Sequence, residues 1–158
     1  MGVLNVADAL QLVGDRRRAK KTVVFTNGVF DLLHVGHTRY LKQARQLGDV
    51  LIVGVNSDSS VRGLGKGDDR PVTPQADRAE LLAALSFVDA VVIFHEPTPE
   101  RLIAQLLPDI LVKGSDWKGR LNPGQQLIES RGGSMAFIPI EDGYSTTSIL
   151  EKIKKSRA

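Results

Sequence analysis

"KTVVFTNGVFDLLHVGHTRYLKQARQLGDVLIVGV", Lys21 to Val55, decides how this chain reads. It opens with a short β-rich run at 21–26, passes a glycine-bearing polar turn, and enters an amphipathic pattern at 38–48 that stops at glycine. A continuous apolar run follows at 50–55, as expected of a strand buried on both faces. Strand, helix and strand in that order make a βαβ unit, whose strands lie parallel. The alternation continues with strands at 89–94, 109–114 and 134–140 and helices at 74–87, 98–107, 123–133 and 145–155. A further helix fits 5–19, and the polar, glycine-rich 56–71 reads as a loop. The expectation is an α/β, Rossmann-like fold: a five-stranded parallel sheet with helices on both faces. It is read as a single domain over 1–158, with 1–20 as an N-terminal helical extension.

Composition narrows the function classes. A chain of 158 residues, 42% hydrophobic, supports one domain with a real core. It has no cysteine, which excludes disulfides and thiolate metal sites. No apolar run is long enough to cross a bilayer, and the basic cluster near the N-terminus follows its apolar part, the reverse of a secretory leader. Cytoplasmic residence is expected. A net charge of +3 favours an anionic ligand without naming it. Aromatics are 5% and show no basic-aromatic repeat, so neither nucleic acid nor membrane is expected as a partner.

In open parallel sheets, ligands bind beyond the carboxyl ends of the strands. "TNGVFD", "NSD", "FHE", "KGSDW" and "EDGYSTT" each begin where an expected strand ends, "FHE" being the least distinctive. His34 and His37, three apart at a helix start, have three readings: metal ligands, capping or core groups, or phosphate handlers. The metal reading lacks a familiar ligand spacing. The phosphate reading uses Gly28 for the turn and for close backbone approach, Gly36 at the positive end of a helix, and two imidazole donors. Ser145, Thr146 and Thr147 open another helix, and three hydroxyls exceed what one cap requires. Arg62, Lys66 and Arg70 either fold over an anion or are solvated.

Taken together, these residues resemble the nucleotidyltransferase superfamily that carries the His-x-Gly-His signature. The likeness runs from about Lys21 to Ile153. Within that superfamily, "RPVTP", "LVKG" and "EDGYSTT" look most like the adenylyltransferases acting on D-glycero-β-D-manno-heptose 1-phosphate. The resemblance implies transfer of AMP from ATP to that sugar phosphate, giving ADP-heptose for the lipopolysaccharide inner core, and pyrophosphate. Mg²⁺ would arrive with ATP rather than sit in a cage of its own. His34, His37 and Lys66 would be catalytic. Thr26, Asn27, Gly28, Val29, Phe30, Gly36, Asn56, Arg62, Asp116, Ser145, Thr146 and Thr147 would bind nucleotide. Asp31, Arg70 and Lys113 would bind the sugar phosphate.

Two positions depart from the heptose pattern. Trp117 stands where those enzymes usually have Tyr, and "GSDWKGRLN" looks closer to glycerol-3-phosphate cytidylyltransferases using CTP. Those enzymes usually carry Arg five residues before the Ser of their Ser-Thr-Thr motif, where this chain has Ile140. A nucleotide-binding module without catalysis is the other alternative, but it has no need for both histidines. By resemblance a homodimer is expected. A stand-alone transferase is expected too, because no kinase-sized segment precedes Lys21.

Overall fold

The βαβ unit forms as read, with β2 (Val23–Gly28), α2 (Val35–Arg45) and β3 (Val50–Asn56) in succession. The structure is a computed structural model that describes residues 2–65, 69–140 and 143–156. The remaining elements are β1 (Gly2–Val3), α1 (Val6–Arg18), α3 (Asp58–Gly63), α4 (Gln75–Ala83), β4 (Ala90–Phe94), α5 (Glu100–Leu106), β5 (Ile110–Gly114), α6 (Gln125–Ser130), β6 (Ser134–Ile138) and α7 (Thr146–Lys155).

All strand pairs are parallel, in the order β1-β4-β3-β2-β5-β6. Alternate side chains of each strand serve two cores. Val23, Phe25, Ile52 and Val92 pack with Ala9 and Val13 of α1, Leu102, Ile103 and Leu106 of α5, and Ile128 of α6. Val24, Leu51, Val53 and Val91 pack on the opposite face with Leu41 and Ala44 of α2 and Ala79 and Leu82 of α4. Period-two strands between amphipathic helices leave this three-layer arrangement as the way to bury both faces. Every residue of β3 is buried, which explains its unbroken apolar run.

Two expectations are corrected. The sheet has six strands rather than five, because Gly2 and Val3 pair with Ala90 and Val91 of β4. A two-residue strand carries no periodicity, and its partner across the chain creates it. Gly2 and Val3 thus join the sheet ahead of α1. The supposed loop 56–71 also contains α3, which Ser57 caps by accepting a hydrogen bond from the Ser60 N–H.

Candidate active site

The chain runs outward from β2 to β3 and β4, then returns through α5 to β5 on the other side of β2. Strands leaving in opposite directions open a crevice at their carboxyl ends. The registers show where it begins. β2 stays paired with β3 to Gly28↔Val55, and β5 with β6 to Gly114↔Ile138, but β2 and β5 part after Thr26↔Val112. Beyond that point lies a cavity of about 820 Å³.

Side chains bridge the floor of the crevice where backbone pairing ends. Lys113 Nζ lies 2.5 Å from Asn27 Oδ1. Thr26 Oγ1 donates to the Val112 carbonyl at 3.0 Å and meets the Tyr40 hydroxyl at 2.8 Å. The Lys113 ammonium also lies 5.0 Å from the centre of the Trp117 ring. Burial pushes the Lys113 amine down to about 8, although the Asp116 charge works the other way.

His34 is the N-cap of α2 in extended conformation, and His37 follows in the first turn. Their rings stack with centroids 3.7 Å apart, and Phe30 meets His37 edge-on at 5.2 Å. Burial, and then the charge of His34, lower the His37 imidazole to about 4, and burial also lowers His34. His37 is therefore neutral at pH 7 and carries one N–H. Neither Nδ1 has a hydrogen-bond partner. An enclosed, unpartnered N–H is costly, so the proton belongs on Nε2.

Phe30, at φ +50°, takes the left-handed conformation in the turn before the histidines; Gly28 itself ends β2. Gly36 is needed for a close approach. A Cβ there would lie 2.9 Å from the Tyr144 Cβ and 3.1 Å from His34 ring atoms. Its absence lets the start of α7 sit against the start of α2, so two helix N-termini border one cavity. Ser145 caps α7 by accepting the Ser148 N–H at 3.0 Å.

The opposite wall is held by buried charge. Asp31 accepts the N–H groups of Val72 and Thr73 at 2.8 and 2.9 Å and pairs with Arg70 at 2.5 Å. Arg78 on α4, almost wholly buried, donates to the carbonyls of Thr73, Val29 and Asn56 and to Asp58. One guanidinium thus ties together the turn after β2, the end of β3 and the segment leading to α4.

Most residues expected at the site line this cavity: Asn27, Gly28, Val29, Phe30, Asp31, His34, Gly36, His37, Asn56, Arg70, Lys113, Asp116, Ser145, Thr146 and Thr147. Thr26 does not. It is fully buried beneath the floor, its hydroxyl used within the protein. Arg62 is exposed on α3 and outside the lining. Lys66 lies outside the described residues. Asp31 and Arg70 neutralise each other, so Asp31 supports the wall rather than offering a free charge. Sequence reasoning missed Tyr40, Gln43, Tyr144 and the Pro97–Pro99 segment. Tyr40 and Gln43 follow His37 at successive three-residue steps on α2, a spacing that puts them on its cavity side. Among the described residues, no three His, Asp or Glu side chains gather as a metal site, and no helix is long and apolar enough to cross a membrane.

Comparison with known proteins adds an independent line. A family profile described as cytidylyltransferase-like matches residues 25–152. The bifunctional protein HldE of Syntrophotalea carbinolica is 56% identical over 137 residues, covering 87% of this chain and 28% of that protein. HldE of Cronobacter sakazakii is 52% identical, covering 98% of this chain and 32% of that protein. The chain therefore spans about a third of the length of these relatives. The crystal structure of the lipopolysaccharide core biosynthesis protein from Thermoplasma volcanium superposes with TM-score 0.62 and 31% identity, covering 79% of this chain and 99% of that one. Pantoate-beta-alanine ligase from Francisella tularensis shares the fold, with TM-score 0.64 and 16% identity, covering 100% of this chain and 78% of that one.

Proposed function

Since the chain belongs to the cytidylyltransferase-like family, we propose that it transfers AMP from ATP to D-glycero-β-D-manno-heptose 1-phosphate, releasing pyrophosphate and ADP-heptose. The observation that carries this reading is the shared cavity. His34 and His37, the hydroxyl-rich start of α7 and the buried Lys113 come from distant parts of the chain and border one space. The identity to HldE proteins over nearly the whole chain supports this reading.

An oxygen of the sugar phosphate attacks the α-phosphorus, forming the new P–O bond. The bond to the bridging oxygen breaks, and its electron pair leaves with pyrophosphate. Little covalent work falls to the protein, so positioning and charge stabilisation carry the rate. The Nε2–H groups of His34 and His37 meet the negative charge that develops on the α-phosphate. Ser145, Thr146, Thr147 and the N-terminus of α7 hold the β- and γ-phosphates, and Lys66 neutralises the leaving pyrophosphate. The turn Asn27–Phe30, Gly36, Asn56 and Asp116 contact the nucleotide. Lys113 takes the charge of the acceptor phosphate, with the Asp31–Arg70 pair forming the wall beside it. Mg²⁺ enters as part of the MgATP substrate. The working unit is a cytoplasmic homodimer.

The test is pyrophosphate release with ATP, CTP, GTP and UTP, each against heptose 1-phosphate and glycerol 3-phosphate. Release with ATP and the heptose phosphate is expected. Trp117 favours a second reading, a glycerol-3-phosphate cytidylyltransferase, and activity confined to CTP with glycerol 3-phosphate would establish it.

A further inference from the structure

His34 and His37 lack the support that usually orients a working imidazole. In most such sites one ring nitrogen donates to a carboxylate or carbonyl, which fixes tautomer and tilt. Here both Nδ1 atoms are enclosed and unpartnered. Ring orientation therefore depends on the stack between the two rings and on where α2 places its first turn.

One turn beyond His37, Tyr40 ties α2 to the sheet. Thr26 is completely buried, and its single hydroxyl proton goes to the Val112 carbonyl at 3.0 Å. Tyr40, whose oxygen lies 2.8 Å from Thr26 Oγ1, must then be the donor of that bond. The result is a directed relay, O–H···O–H···O=C, from α2 through β2 to β5. It lands on Thr26↔Val112, the last backbone pair before the crevice opens. Burial pushes the Tyr40 phenol up to about 12, so its proton stays in place throughout the working pH range.

We propose that Tyr40 and Thr26 are a positioning pair for His37, fixing the rotation of α2 against the β2–β5 crevice and so the aim of an imidazole that has no hydrogen-bonded orienter of its own. The proposal rests on the nucleotidyltransfer reading of the histidine pair. It also gives Thr26 a role beneath the site in place of the ligand contact expected from the sequence.

A double-mutant cycle tests it. Tyr40→Phe and Thr26→Val should each lower kcat about tenfold, as small misplacements of catalytic groups do, with both KM values kept within about twofold. The double variant should lose little more than either single one, because the relay is already broken. Thr26→Ser keeps the hydroxyl and should keep kcat. Thermal unfolding and circular dichroism confirm that all four variants are folded. Wild-type kcat in both single variants, multiplying losses in the double, or a raised KM for MgATP with kcat intact would each overturn the pairing. The His37 ring proton signal in NMR gives a readout without turnover. It should shift alike in Tyr40→Phe, Thr26→Val and the double variant, and stay put in Thr26→Ser; an unmoved signal in the single variants refutes the pairing. Wild-type protein that releases no pyrophosphate from any substrate pair would instead sink the nucleotidyltransfer reading, leaving the ring signals to decide the relay.

Discussion

Lys113 reaches across the crevice to Asn27, Nζ to Oδ1 at 2.5 Å, one step past the last backbone pair between β5 and β2. The face of Trp117 and the charge of Asp116 also act on it. The charge of Asp116 offsets the cost of burying this cation only in part, since burial still lowers its pKa, and an incoming phosphate supplies further opposite charge.

The pH dependence of acceptor binding follows. Burial lowers the Lys113 pKa to about 8, so the phosphate-binding ammonium is present below that pH and lost above it. The acceptor KM should rise as pH climbs through 8, while the nucleotide KM stays level. Lys113→Met should raise the acceptor KM by about tenfold or more and abolish the step, consistent with losing a charge-assisted contact of about 1.5–3 kcal/mol. An acceptor KM that is flat across pH 7 to 9 in the wild type would count against this role.

The histidines should separate chemistry from binding. His34→Ala and His37→Ala remove donors aimed at developing charge, and each should cut kcat by roughly 10²–10³ while calorimetry still detects nucleotide. Unchanged pyrophosphate release in these variants would reject the catalytic assignment.

His37 also links stability to acidity. Its folded pKa of about 4 lies below the ordinary imidazole value of 6.5, so the unfolded chain binds the extra proton between those limits. Stability rises with pH across that window: the contribution is complete above 6.5 and disappears as pH falls toward 4. Urea unfolding of the wild type should weaken over this range more steeply than that of His37→Gln. Equal slopes would show that the imidazole is not desolvated as described.

Arg78 carries structural weight that its charge would not suggest. Arg78→Met removes the donor that three carbonyls and Asp58 share, and should cost about 3–5 kcal/mol by denaturant unfolding, as breaking a buried ion pair does. Arg101→Ala, at an exposed pair with Glu96, should stay within about 0.5 kcal/mol.

The legible parts of this protein were those written in local pattern. A short β-rich run in β2, an amphipathic turn in α2 and a solid apolar run in β3 are consequences of burying one or two faces, and each survives in the chain as local pattern. The histidine pair and the Ser-Thr-Thr run were visible because donors crowded at helix starts have few bland explanations. Gly2–Val3 left no such trace, since two residues become a strand only through an edge supplied by β4. Nothing in the local pattern marks Arg78 until the carbonyls of Val29, Asn56 and Thr73 close around it. Thr26 reads as part of a ligand loop until the Val112 carbonyl and the Tyr40 hydroxyl take both of its bonds. Sequence alone determined the alternation of elements and the chemistry at their ends. Tertiary structure alone decided which polar groups face the cavity and which are consumed in building it, because hydrogen bonds between residues about 86 positions apart, such as Lys113 to Asn27, are chosen by the packing of the sheet and leave no local signature.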